Sequence, residues 1–292
     1  MGIFYRRLPR FDYVVPKTLD EVLKALNKHK GAYRLLAGGT DLIPQLKKRE
    51  IKEPEYVIDL KGISGLDTIS YDGNGLKIGP LATITSIAQS PAVQEHYPIL
   101  AQAALSMASP QVRNRGTFAG NICNAVPSAD SIPSLITLSA SVKIRSARKE
   151  RIVPLEQFFI GPRITALKAN EMVVEITVPQ QRETSRGVYL KLSPRHSMDL
   201  AIVGVAVTGT CENGICKDIR IALGAVAPTP VRAPTAEAVL QGRQITSALV
   251  DEAARNAVTQ CSPIDDHRAS REYRCDMIYV LTRRALNQIL LS

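Results

Sequence analysis

Two short stretches hold most of the chemistry open to this chain. In LLAGGTDL at 35–42, a strand-like run enters Gly38-Gly39 and a helix-like segment leaves. Glycines let backbone N–H groups approach an anion closely, and the positive end of a following helix favours negative charge. The segment is a candidate phosphate or pyrophosphate cradle; a plain tight strand-to-helix turn is the alternative. In GTFAGNICNAVPSAD at 116–130, Ala119-Gly120 offers a second close approach, ringed by Thr117, Asn121, Asn124, Ser128 and Asp130. So many short donors and acceptors suit a large polar ligand, with an Asx-rich surface loop as the alternative.

Other chemistries find less support. A P-loop needs Lys-Ser/Thr after its glycines, and none follows Gly39. A dinucleotide fingerprint of the Rossmann kind needs three spaced glycines. Asp59 does stand twenty residues past Gly39, where a ribose-binding acid would be, but without the third glycine it reads better as a turn residue. The histidines (His29, His96, His196, His267) are scattered, which argues against zinc. Five cysteines, none in a C-x-x-C pair, read as reduced thiols, although Cys211 and Cys216 flank a turn and could face each other on a hairpin. No Ser-His-Asp set or carboxylate pair has a convincing context.

The elements that must position these loops are legible in outline. PKTLDEVLKALNKHKG carries a capping box, Thr18 with Glu21, and an apolar stripe of Leu19, Val22, Leu23 and Leu26. Gly31 is a plausible stop. YRLLA is a short strand into the first glycines, and DLIPQLKKRE is helical if Pro44 lies in its first turn. YVIDL at 56–60 is a buried strand, and LDTISYDGNGLKIGP is two strands around a turn. Residues 83–109 read as helix broken at Pro91 and Pro98. A long loop from Ser109 follows, then regular structure from SLITL, then a strand EMVVEITVP ended by Pro179. The polar QQRETSRG at 180–187 is the expected domain boundary. Beyond it come three strands, GVYLKLS, LAIVGVAVTGT and ICKDIRIALGAVA, the last two joined by a tight turn at Glu212-Asn213-Gly214. The remainder is helical, ending in a segment from about Ala269 to Leu291.

Length and composition fit a soluble chain of one large or two ordinary domains: 292 residues, 45% hydrophobic and 22% charged. No apolar run is long enough to span a bilayer and the opening residues lack a secretory apolar core, so a cytoplasmic location is the default. The formal net charge is +10, concentrated near the N-terminus (Arg6, Arg7, Arg10 onward) and in KIRSARKER at 143–151. A basic surface can attract nucleic acid, an acidic partner or an anionic cofactor. With no aromatic-interleaved RNA motif, zinc finger or basic zipper, nucleic-acid binding is not expected.

Taken together, AGGTDL, SPQVRNRGTFAGNICNAVPSADS, EMVVEITVP, GVYLKLSPRHSMDLAIVGVAV and ALGAVAPTPVRA resemble the flavoprotein family of molybdenum hydroxylases. That family includes the FAD-binding subunit of xanthine dehydrogenase and the medium subunit of carbon monoxide dehydrogenase. The resemblance covers nearly the whole chain. It implies an α+β architecture: a two-subdomain FAD-binding fold of the vanillyl-alcohol-oxidase type over 1–179, with a subdomain boundary near 55–60, then a C-terminal flavoprotein domain over 187–292 with a small three-stranded antiparallel sheet and packed helices. Leu35, Leu36, Ala37, Gly38, Gly39, Thr40, Asp41 and Leu42 would form the first pyrophosphate loop, and Thr117, Gly120 and Asn121 the second. Asp130 would hydrogen-bond beside the cofactor, or cap the helix after it. Met107 occupies a position where the family often has an aromatic beside the flavin, and Val173 falls on a strand near the cofactor. Lys191 matches a lysine near the flavin; a solvated strand residue is the alternative.

The resemblance further implies non-covalent FAD on this chain, with molybdopterin on a large partner subunit and 2Fe–2S clusters on a small one. Electrons would pass from those clusters through FAD to an external acceptor such as NAD, in a hetero-oligomer with no membrane span. Cys123 has no companions at ligand spacing, so no iron–sulfur cluster is expected here. The GNICNAVPSADS likeness favours a purine such as xanthine as the substrate of the complex. The alternative is a stand-alone flavin-dependent oxidoreductase acting directly on a small organic molecule, which would need a base over the flavin; His196 is the nearest residue. The basic surface reads equally as a docking face for the iron–sulfur subunit or a solvated face.

Overall fold

The computed structural model describes residues 7–195 and 197–291. Arg6, counted in the basic N-terminal run, and His196 lie outside the described residues.

The chain opens with strand β1 (Asp12–Val14), helix α1 (Leu19–Lys28), strand β2 (Tyr33–Leu36), helix α2 (Leu42–Lys48) and strand β3 (Tyr56–Asp59). The capping box starts α1: the Thr18 hydroxyl accepts from the Glu21 N–H at 3.2 Å, and the Glu21 carboxylate accepts from the Lys17 N–H at 2.7 Å. Pro44 lies in the first turn of α2, where a missing N–H breaks no helical bond. The strands pair in parallel in the order β1-β3-β2. β3 is the central strand, and Leu60, Ile63 and Leu66 beyond it share a core with Val22, Leu23 and Leu26 of α1.

Strands β4 (Ile69–Asp72) and β5 (Gly75–Ile78) follow, then six helices: α3 (Ile84–Gln89), α4 (Pro91–His96), α5 (Pro98–Ser106), α6 (Pro110–Arg113), α7 (Phe118–Asn124) and α8 (Ser131–Thr137). Pro91 and Pro98 each open a helix, since proline presets a helical φ while ending the helix before it. The stretch from Ser109, expected as one long loop, contains α6 and α7. Hydroxyl caps at Ser109 and Thr117 start them, and the fully buried Phe118 and Ile122, four residues apart, anchor α7. Then come β6 (Ser141–Arg145), β7 (Glu150–Pro154), the small hairpin β8 (Phe159–Gly161) and β9 (Ile164–Thr165), and β10 (Met172–Pro179). The second sheet is antiparallel, β4-β5-β10-β6-β7, and the basic KIRSARKER run is its β6–β7 hairpin.

The remaining elements are β11 (Arg186–Leu192), β12 (Val203–Glu212), β13 (Ile215–Gly224), β14 (Val231–Arg232), α9 (Pro234–Leu240), α10 (Ser247–Thr259) and α11 (Arg271–Leu290). The sheet has four strands, β11-β12-β13-β14, not three. β14 is two residues long between prolines, too short to carry a strand pattern of its own. α9, α10 and α11 share a core with one face of this sheet, while Tyr189, Ala206 and Ala222 on the other face join the core of the preceding sheet, beneath α5 and α8. Coverage on both faces explains why the first eight residues of β12 are buried without alternation.

Candidate cofactor site

The two glycine-bearing stretches meet. A Cβ placed on Gly38 would lie 2.0 Å from the Arg115 carbonyl oxygen, so the backbone of the second stretch rests directly on the first. Only glycine fits that contact. Gly39 takes a left-handed backbone (φ +76°) that turns the chain into α2. From Gly38 through Asp41, the backbone N–H groups donate to no backbone acceptor among the described residues. Asp41 stands before α2 without capping it. It opens onto the cleft; crowding by surrounding protein raises its carboxyl pKa, partly countered by the Arg163 guanidinium.

The second stretch is held from within. The Thr117 hydroxyl accepts from the Gly120 N–H at 2.9 Å. Asn121 accepts from the Ser131 hydroxyl at 2.7 Å, leaving its amide N–H groups without a protein acceptor among the described residues. Gln45 of α2 donates to the Asn124 side-chain oxygen of α7 at 3.0 Å, tying the two helices together. Neither sequence periodicity nor motif spacing marks that pair, because its members are 79 residues apart.

A buried charged cluster also borders the cleft. Asp130 accepts from the Tyr189 hydroxyl at 2.7 Å and from the Lys191 ammonium at 2.8 Å. The ammonium also donates to the carbonyls of Ser106 and Asp199, at 3.3 and 3.0 Å. Burial pushes the Asp130 carboxyl up, against the pull of Lys191 and Tyr189, and burial pushes the Tyr189 phenol well up. The Asp130 carboxylate therefore does not cap α8, although the residue immediately precedes it.

One cleft of about 710 Å³ connects these features. Leu35, Ala37, Gly38, Gly39, Thr40, Asp41, Leu42, Met107, Thr117, Gly120, Asn121, Asp130 and Val173 all line it. Leu36 and Lys191 do not. Leu36 packs beneath Gly39, and Lys191 stands behind Asp130. Sequence reasoning missed Arg163, Glu171 and Asp199 on the wall. Arg163 sits at a left-handed turn position (φ +60°) between β8 and β9, with its N–H bonded to the Ala125 carbonyl. Glu171 is clamped by Arg151 at 2.7 Å, which holds its carboxyl below the usual range. The volume and the run of N–H groups with no backbone acceptor among the described residues fit the diphosphate of an extended dinucleotide.

Comparison with known families agrees with that geometry. Residues 9–181 match the FAD binding domain in molybdopterin dehydrogenase, and residues 188–289 match the CO dehydrogenase flavoprotein C-terminal domain. The chain belongs to the FAD-binding medium subunits of the molybdenum hydroxylases. Among its relatives is the carbon monoxide dehydrogenase medium chain of Hydrogenophaga pseudoflava, 37% identical over 279 residues and covering 96% of both chains. The xanthine dehydrogenase FAD-binding subunit of Escherichia coli O157:H7 is 33% identical over 277 residues, covering 93% of both. In structure, a carbon monoxide dehydrogenase chain from Hydrogenophaga pseudoflava matches with a TM-score of 0.93 at 38% identity, covering 96% of this chain and 97% of that one. Quinoline 2-oxidoreductase from Pseudomonas putida 86 matches at 0.92 and 30%, covering 98% of each. This medium subunit is thus an oxidoreductase component with an FAD-binding domain. No helix among its described residues is long and apolar enough to cross a membrane.

Proposed function

We propose that this medium subunit holds FAD non-covalently in the cleft and is the electron exit of a molybdenum hydroxylase, between 2Fe–2S clusters on a small partner subunit and an external acceptor such as NAD. A large partner subunit would carry molybdopterin and choose the substrate, within a cytoplasmic hetero-oligomer. The observation that carries the reading is the row of unmatched N–H donors from Gly38 to Asp41, opening onto a cleft of dinucleotide size. FAD, when bound, supplies the capacity to take up two electrons and pass them on. Every other task falls to the chain. Residues 35–42, with Thr117, Gly120 and Asn121, hold the diphosphate. Met107 and Val173, both nearly inaccessible, form apolar wall that excludes water beside the flavin end. Asp130 lines the cleft with its carboxylate fixed at both oxygens, and Lys191 positions it from behind. Residues 1–179 would make up the FAD-binding unit and 187–292 the C-terminal unit.

The substrate does not follow from this subunit, since relatives named for carbon monoxide, xanthine and nicotine share it at 30–37% identity. A purine such as xanthine is the first substrate to assay, on the GNICNAVPSADS likeness, with carbon monoxide next. The test is the visible spectrum of the purified chain and identification of any pigment released by acid. Flavin bands with FAD released are expected. A folded, colourless protein that takes up no added FAD would overturn the reading.

A further inference from the structure

The β12–β13 hairpin brings two cysteines together at a position with special geometry. Asn213 and Gly214 form its two-residue turn, both with left-handed backbone (φ +52° and +74°), as a type I′ turn requires. Glu212 pairs with Ile215 across the turn, and the next pair is Cys211 with Cys216. The main-chain groups of Cys216 face away from β12: its N–H donates to the Arg243 carbonyl at 3.0 Å, and its carbonyl accepts from the Gly242 N–H at 2.8 Å. Cys211 and Cys216 are therefore a non-hydrogen-bonded cross-strand pair. In such pairs the Cα atoms are about 4.5 Å apart and the side chains leave the sheet on one face. A disulfide spans Cα separations of about 4.4–6.8 Å, so this register, which lies beside the irregularity between Thr210 and Cys211, brings the pair within bridging range. Both side chains pack on the same apolar cluster, consistent with a shared face. Their exposure differs. Cys211 is partly accessible, whereas Cys216 is fully buried, and burial pushes its thiol up to about 11.

From this geometry we infer that Cys211 and Cys216 form a peroxide-responsive dithiol, with Cys211 the attacked sulfur and Cys216 its resolving partner. The Cys211 thiolate attacks one oxygen of hydrogen peroxide. The O–O bond breaks, the sulfur is oxidised to a sulfenic acid, and hydroxide leaves to become water with the thiol's proton. The Cys216 sulfur then attacks the sulfenyl sulfur, forming S–S and breaking S–O. The second hydroxide takes the Cys216 proton. In sum, two thiols and one peroxide give one disulfide and two waters. A resolving thiol one strand away stops Cys211 at the reversible stage of oxidation. Closure also staples a hairpin tip already bonded to the 241–245 segment. The inference is independent of what occupies the cleft.

Tryptic cleavage after Arg195 and Lys217 leaves both cysteines in one peptide, 196–217, with no other cysteine. The full-length protein is treated with hydrogen peroxide, denatured, alkylated, digested and analysed by mass spectrometry, with the linkage scored in fragments beyond Thr210. Expected is a peptide lighter by two hydrogens and closed to alkylation until reduced. Two alkyl groups on that peptide, or Cys211 over-oxidised beside an alkylated Cys216, would overturn the inference. In Cys216→Ser, Cys211 should accumulate as a sulfenic acid that dimedone traps. Should that buried change prevent folding, Cys211→Ser decides: Cys216 must alkylate fully with or without peroxide, and oxidation of Cys216 alone would sink the assignment.

Discussion

The two glycine-bearing stretches look alike in sequence and differ in their hydrogen bonds. The first, Gly38 to Asp41, has N–H groups with no backbone acceptor among the described residues, and the Asp41 side chain does not cap α2. The second is braced from within: Thr117 caps α7 through the Gly120 N–H, Ser131 holds Asn121, and Phe118 with Ile122 seats the helix in the core. Both stretches line the cleft, the first with main-chain N–H groups and the second with a capped helix start and the Asn121 amide. They meet where Gly38 lies against the backbone of Arg115 and Gly116, and Gln45 and Asn124 tie the helices that follow.

Gly38→Ala should break that comparison most severely. The new Cβ would meet a carbonyl oxygen at 2.0 Å, so the stretches must separate. Overpacking of this kind costs about 3 kcal/mol, equivalent to about a hundredfold in affinity. Flavin-to-protein stoichiometry after gel filtration should drop sharply. In Gly120→Ala, the added Cβ meets no protein backbone, only the Thr117 hydroxyl at 3.0 Å, so the loss of flavin should be smaller than in Gly38→Ala. Equal losses in both variants would mean that the two stretches share one role.

Lys191 comes next. Asp130→Asn leaves the Lys191 ammonium buried with only two carbonyls, and breaking a buried pair costs about 3 kcal/mol. Thermal unfolding should register that loss. Lys191→Met should move the flavin midpoint potential to more negative values by removing a positive charge behind Asp130, and an unchanged potential would reduce Lys191 to a packing role.

A smaller effect separates the two hydroxyl- and acid-bearing helix starts. Thr117→Ala removes a working cap and should cost about 1 kcal/mol, recovered in Thr117→Ser. Asp41→Ala removes no cap and should leave the melting temperature nearly unchanged. The smallest effect is one of pH. Arg151 holds the Glu171 carboxyl below its ordinary value of 4.5, so the pair's stabilisation is complete above that pH and is lost as pH falls through the lowered value. The partly exposed Arg151 limits this to about 1 kcal/mol. Melting temperatures between pH 6 and 3 should fall less steeply in Glu171→Gln than in the parent.

Much of the molecule is legible in its sequence, for a reason visible in particular residues. Thr18 and Glu21, Pro91 and Pro98, the Asn213-Gly214 turn and the α11 span all rest on neighbours a few positions apart, and local sterics and capping decide those. The glycine signals at 38–39 and 120 also belong to this class, because a backbone that must come close to something tolerates no side chain. What they come close to is another matter. Whether Gly38 meets a ligand or Arg115, whether Lys191 lines the cleft or stands behind Asp130, and whether Asp130 caps α8 or binds Tyr189 depend on partners 59 to 77 residues away. Such pairings follow from how two sheets and their helices pack, and packing is decided by the summed burial of many side chains rather than by any one motif. So the sequence determined the helix caps, the prolyl breaks and the two glycine stretches, while only the tertiary structure decided which main-chain donors stay open and that Asp130, not Lys191, lines the cleft.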